Sequence, residues 1–223
     1  MDNYIDFYYQ HKNKKNLPYP YSKKSLSKIS SFIKGNVLEI GVGDGNLSSV
    51  LLDLSGNIKS YTGVDINKKF LDDTRLKLQD KINSIEMFNR DFMEIEFNKF
   101  FDTIVSFEVI EHVKSPDKFL EKIYSFLKPN GIAVISTPNK PIYSIVAKLV
   151  DGGKDPTHIS EMNYKEFKKI FSKYFYILDS VYMLPLLPKL SYKLKNDVLW
   201  YFSELAGESF KFLSLDVVLI GKK

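Results

Sequence analysis

From Ser22 to Thr137 the chain alternates short apolar runs with longer stretches in which apolar residues recur every three or four positions. The first stretch, Ser22 to Lys34, has Leu26, Ile29, Phe32 and Ile33 at helical spacing and predicts a short helix ending at Gly35. NVLEI follows as a compact run suited to a buried parallel strand, then a glycine-rich turn, then a helix around Leu47, Val50, Leu51 and Leu54. KSYTGVD predicts a second strand and residues 68–80 a helix with Phe70, Leu71 and Leu78 inward. SIEMF and FDTIVSF read as strands three and four. Ser115-Pro116 supplies an N-cap and a proline at the first helical position, and Phe119, Leu120, Ile123, Phe126 and Leu127 mark one face of the helix behind it. KPNG reads as a turn and IAVIST as strand five.

Strands alternating with amphipathic helices imply a parallel sheet covered on both faces. The tail breaks the alternation: YFYILDSVYML and FLSLDVVLIGKK both read as strands, which suggests an antiparallel edge hairpin interrupted by an insertion at 184–212. Residues 1–34 form a leader and helix, so a single domain over 1–223 is expected.

Composition changes this picture little. Hydrophobic residues make up 44% and charged residues 26%, a balance suited to a globular α/β domain. No apolar run is long enough for a membrane span, and no secretory pattern opens the chain, so a cytoplasmic protein is expected. With no cysteine, disulfides, thiolate metal sites and a cysteine nucleophile are excluded. The net charge of +5 resides in residues 1–35, where seven Lys face Asp2 and Asp6. That Tyr-rich leader reads as a solvated end or, alternatively, as an arm for an anionic partner.

The chemistry concentrates at strand ends. VLEIGVGDG carries Glu39 to the end of strand one, where Gly41, Gly43 and Gly45 let a ligand approach the backbone. Asp65 ends strand two, about 20 residues on, where an acid can grip two ribose hydroxyls. Asp91 and Phe92 follow strand three, an acid to accept from an adenine amino group and an aromatic to stack on its ring. A dinucleotide is disfavoured, because G-x-G-x-x-G needs a glycine at position 46, which is Asn.

With VLEIGVGDG, GVDIN, RDFMEIEF, FDTIVSFEVIEHV and LKPNGIAVISTPN in this order, the chain resembles class I S-adenosylmethionine methyltransferases of the type-11 and ubiquinone-biosynthesis-like group. The resemblance implies a Rossmann-like seven-stranded sheet, order 3-2-1-4-5-7-6, with the last strand antiparallel. It implies that Glu39, Gly41, Gly43 and Gly45 surround the methionine end of S-adenosyl-L-methionine. Asp65 would hold the ribose, Ile66 would pack on adenine, and Asp91 and Phe92 would take its edge and face. Phe107 and Glu108 would line the pocket near the methyl group.

Glu108, Glu111 and His112, with His158 from a later loop, form a second group. Similar E-x-x-E-H text occurs in ubiquinone-pathway O-methyltransferases and in small-RNA 3′-terminal 2′-O-methyltransferases, whose vicinal oxygens a divalent ion could chelate. Glu111 and His112 are adjacent and need not point to one side, so the expectation is no metal, with His112 or His158 as general base beside Glu111. The expected acceptor is an oxygen of a small aromatic or lipid-like molecule, under aromatic-rich lids at the leader, 138–160 and 184–212. An RNA acceptor and a non-catalytic binding subunit are the alternatives.

Overall fold

The computed structural model describes residues 23–150, 155–183 and 214–223. Most of the leader and the whole 184–212 insertion, with the aromatic lids assigned to them, lie outside the described residues.

The elements run α1 (Lys23–Ser30), β1 (Gly35–Ile40), α2 (Asn46–Ser55), β2 (Ile58–Asp65), α3 (Lys68–Leu78), β3 (Ile85–Asn89) and β4 (Phe101–Ser106), continuing with α4 (Pro116–Phe126), β5 (Leu127–Pro138), α5 (Lys140–Val150), α6 (Tyr164–Phe171), β6 (Tyr176–Met183) and β7 (Asp216–Lys222). Single 3₁₀ turns occupy Phe92–Glu94 and Ile110–His112. The seven strands stand in the order β3-β2-β1-β4-β5-β7-β6. β7 runs antiparallel to both β5 and β6, and the other described pairings are parallel. This is the Rossmann-like order implied by the sequence motifs.

Each face of the sheet has its own core, which is why the strands read as unbroken apolar runs rather than as alternating ones. One face packs Ile104, Ala133, Ile135, Val217 and Leu219 against Phe119, Leu120 and Ile123 of α4 and Phe167 and Phe171 of α6. The other packs Val37, Val105, Val134, Val218 and Ile220 against Leu26 and Ile29 of α1, Leu51 of α2, and Leu71 and Leu78 of α3. Local signals set the helix ends: the Ser115 side chain accepts from Lys118 N ahead of Pro116. Asn163 and Glu166 form a reciprocal capping box at α6.

One expectation is corrected. KPNG is not a turn before the fifth strand, because β5 begins at Leu127. Phe101 pairs with Leu127 and Thr103 with Ile132, so the extra residues are absorbed as a bulge in the ladder, with Asn130 in the left-handed region at φ +64°.

Candidate functional site

Strand order reverses between β1 and β4, since the chain leaves β1 towards β2 and β3 and returns to the other side of β1 at β4. Loops leaving those two strands diverge, and the crevice at their carboxyl ends is where open α/β sheets bind ligands. The β1 loop carries the glycines and the β4 loop carries Phe107 to His112.

The glycines do different work. A side chain added at Gly43 would meet nothing within 4 Å, and its φ is +52°. Among the described residues the loop is therefore open there, which would let a ligand approach the backbone. Gly45 instead abuts Thr74 of α3, so its missing side chain serves packing of helix against loop. Gly41, also at positive φ, lies against Val109.

Asp65 closes β2 beside this loop. Its Oδ2 accepts from Gly43 N at 3.2 Å and its Oδ1 from Asn67 N at 2.8 Å. Burial raises its pKa against the lowering effect of these backbone donors. Ile66 next to it is an apolar side chain that is 70% exposed. Asp91 is exposed, and its side chain accepts from Met93 N at 2.8 Å.

Glu39 lies beneath the loop, 3% exposed, and accepts from Tyr61 Oη at 2.6 Å. Burial pushes its pKa up to about 7, the Tyr61 hydrogen bond opposing. Tyr61 is a partner that the sequence reading missed, although KSYTG places it on the strand next to Glu39.

Phe92, expected to take the face of adenine, is 4% exposed, and its ring packs edge-on to Phe119 and Phe126 under α4 with Lys122 Nζ over it. The 3₁₀ turn rotates it inward, where apolar area is removed from water. Phe107 is also buried, within the opposite core.

Beyond β4 the second group assembles. Glu108 has φ +54°, a strained backbone for a residue other than glycine. Its N–H donates to Ser136 Oγ at 3.0 Å, and the Ser136 hydroxyl donates back to its carboxylate. Burial pushes the Glu108 carboxyl up to about 7. Glu111, wholly buried, accepts from Thr137 Oγ1 through Oε2 at 3.1 Å, while its Oε1 has no hydrogen-bond partner among the described residues. Burial, then the neighbouring Glu108, raises the Glu111 pKa well above the carboxylate range. Asp216, at the start of β7 on the strand face shared with Ser136, is a third buried acid raised by burial and by Glu108. The sequence reading did not single it out, because only the antiparallel β5–β7 register places it there.

His158 arrives from the segment before α6. Ser160 pins that segment, its N–H donating to Glu111 O at 2.9 Å and its hydroxyl to Val113 O at 2.7 Å. The His112 and His158 rings meet edge to face with centroids 4.7 Å apart. Glu111, His112 and His158 each offer a ligand atom, and the three atoms lie within 4.8 Å of one another. Adjacent Glu111 and His112 thus converge, because a 3₁₀ turn brings both in under the loop that carries His158. Glu108, tied to Ser136, is not among the converging three. His112 Nδ1 lies 3.1 Å from Thr157 O, which makes Nδ1 the protonated nitrogen and Nε2 the one with a free lone pair. Burial, then His158, lowers the His112 pKa.

A family profile described as "Methyltransferase domain" matches residues 9–176. The chain belongs to this methyltransferase domain family. Among curated proteins, the domain is 31% identical over 107 residues to the ubiquinone biosynthesis O-methyltransferase of Rickettsia typhi, covering 48% of this chain and 42% of that one. It is 32% identical over 144 residues to the enzyme of the same name from Pelagibacter ubique, covering 61% and 55%. The chain spans about half the length of the curated relatives it matches. Among solved structures, the domain resembles the N-methyltransferase NodS of Bradyrhizobium japonicum in complex with S-adenosyl-L-homocysteine, with TM-score 0.63 and 13% identity over 92% of this chain and 88% of that one. A methyltransferase of Clostridium acetobutylicum gives TM-score 0.63 at 12% identity over 99% and 98%. At these identities the structural likeness carries the fold. Among the described residues, no helix is long and apolar enough to cross a membrane.

Proposed function

We propose that the chain transfers the methyl group of S-adenosyl-L-methionine to an oxygen of a small aromatic or lipid-like molecule. The observation that carries this reading is the convergence of Glu111, His112 and His158 beyond β4, across the switch point from the open loop at Gly43. The curated relatives named as O-methyltransferases support the oxygen acceptor.

The donor supplies an electrophilic methyl on a sulfonium, so the protein has to bind, align and exclude water. The β1 loop fits it: Gly43 leaves the backbone accessible, Asp65 stands where a sugar hydroxyl pair would be accepted, and Ile66 offers an apolar face. Glu39, Gly41 and Gly45 shape the floor of that loop, Asp91 remains exposed for a polar edge, and Phe107 and Glu108 border the other side. His112, neutral at neutral pH because its pKa is lowered, takes the acceptor hydroxyl's proton on Nε2. Glu111 and His158 fix the surroundings of that nitrogen.

A second reading is favoured by one observation: the Oε1 of buried Glu111 has no hydrogen-bond partner among the described residues and lies 3.9 Å from His112 Nε2. One carboxylate and two imidazoles are a donor set that suits a divalent cation, which would acidify a bound hydroxyl. A cationic charge would also return Glu111 to its ionised form.

Both readings share a small-molecule acceptor and a cytoplasmic setting. The test is calorimetric binding of donor, then methyl transfer to a simple catechol with and without chelator. Transfer that survives chelator supports His112 as base; transfer lost to chelator and restored by Mg²⁺ supports the cation. Absence of donor binding would refute both. Transfer to RNA 3′ ends in preference to the catechol would replace the acceptor.

A further inference from the structure

Glu161 takes no part in the chemistry above, yet the fold buries its carboxylate with a side chain only 1% exposed. Burying an acid is costly unless a partner compensates it. Here one partner is His158, whose Nδ1 lies 3.2 Å from Glu161 Oε1. A carboxylate behind an imidazole selects the tautomer, because Nδ1 must carry the proton it donates, and it fixes the plane of the ring. The lone pair is then left on Nε2, which lies 3.9 Å from Asp155 Oδ2 and is the remaining nitrogen through which His158 can join Glu111 and His112. Tyr143 of α5 covers the same ring, with centroids 5.0 Å apart and planes tilted by 34°.

The backbone that carries both residues is held by other means. Ser160, between them, is bonded to Glu111 and Val113, and Met162 forms a bridge with Asn139 at the end of β5. The Glu161 carboxylate, for its part, meets the ring through Oε1. The spacing His158-x-x-Glu161 is visible in the sequence, but nothing in the sequence shows that the two side chains turn towards each other.

We propose that Glu161 is a positioning residue for methyl transfer, acting through His158 by holding its imidazole in the Nδ1–H tautomer with Nε2 presented to Glu111 and His112. This rests on the reading that His158 serves the transfer, and it applies whether His158 acts by hydrogen bonding or as a ligand. A second-layer partner of this kind is typically worth about 10–100-fold in activity or metal affinity.

The test uses the full chain, ¹⁵N-labelled at histidine, with the His158 signals assigned from the spectrum of His158→Gln. Long-range ¹H–¹⁵N correlations should show the Nδ1–H tautomer in the wild type and in Glu161→Gln, which keeps an acceptor oxygen. Glu161→Leu should lose that tautomer and lower kcat on the catechol about 10–100-fold with KM little changed, while Glu161→Gln recovers most of the rate. In the double variant Glu161→Leu/His158→Gln, the rate should be no lower than in His158→Gln alone. Glu161→Leu that keeps the Nδ1–H tautomer, or losses that simply add in the double variant, would overturn the proposal. Should Glu161→Leu fail to fold, Glu161→Ser carries the same tautomer measurement. Full turnover in His158→Gln would instead refute the role given to His158 under the proposed function, and the tautomer measurement would still decide what Glu161 does to the ring.

Discussion

Replacing Glu39 by glutamine isolates one buried charge in this fold. Glu39 accepts a hydrogen bond from Tyr61, and the glutamine carbonyl can accept the same bond, so shape and hydrogen bonding are kept while ionisation is removed. In the folded protein the Glu39 pKa is raised from 4.5 to about 7, with burial as the leading cause. Between those values the folded state keeps a proton that the unfolded state has lost. Stability from this group is therefore complete below the unfolded pKa and falls as pH rises, until the folded group also ionises near 7. A gap of that size is worth about 3 kcal/mol in total, most of it falling between pH 5 and pH 8. Glu108, Glu111 and Asp216 are raised in the same direction and add the same sign of slope, but they are present in both proteins and cancel in the comparison. Urea unfolding at pH 5 and pH 8 should show Glu39→Gln gaining on the wild type by about 2–3 kcal/mol, roughly 1 M in midpoint for an ordinary urea slope. Parallel pH dependences for the two proteins would refute the account, since they would mean that the carboxyl is ionised in the fold at little cost.

Other outcomes follow from the same geometry. Asp65→Ala should weaken donor binding by about 1.5–3 kcal/mol in calorimetry, and unchanged affinity would remove the ribose contact from the reading. Gly43→Val should fold and fail to bind donor, whereas Gly45→Val should lower the melting temperature because its side chain meets Thr74; equal effects from both would erase the distinction between cradle and packing glycine. If His112 is the base, the acid limb of kcat/KM should lie below the usual histidine value of about 6.5, since its pKa is lowered and activity is lost as pH falls through it. A limb above 6.5, or one that survives in His112→Gln, would assign the proton to another group.

Short-range pattern determined much of this protein. Apolar runs buried on both faces, Ser115-Pro116 at a helix start and glycines after the first strand are local statements, because hydrogen bonding and side-chain period act over a few residues. The strands and the positions of Gly43 and Asp65 at their ends were legible on that basis, whereas the strand order followed from the resemblance to class I methyltransferases and not from local pattern. The KPNG segment was not, because its turn chemistry is identical whether it ends an element or bulges within a ladder; pairing of Phe101 with Leu127 decides. Phe92 shows the same limit. An aromatic after a strand suits a ligand face or a core equally, and only the arrival of Phe119 and Phe126 on α4 turns it inward. The histidines depend most on tertiary structure. His112 and His158 become neighbours through Ser160, bonded to Glu111 and Val113 on either side of His112, and each ring finds an oxygen behind its Nδ1 that fixes which nitrogen is left to act. Residue types and spacing supply the groups, but their convergence and protonation depend on distances and burial that arise only when distant segments pack together.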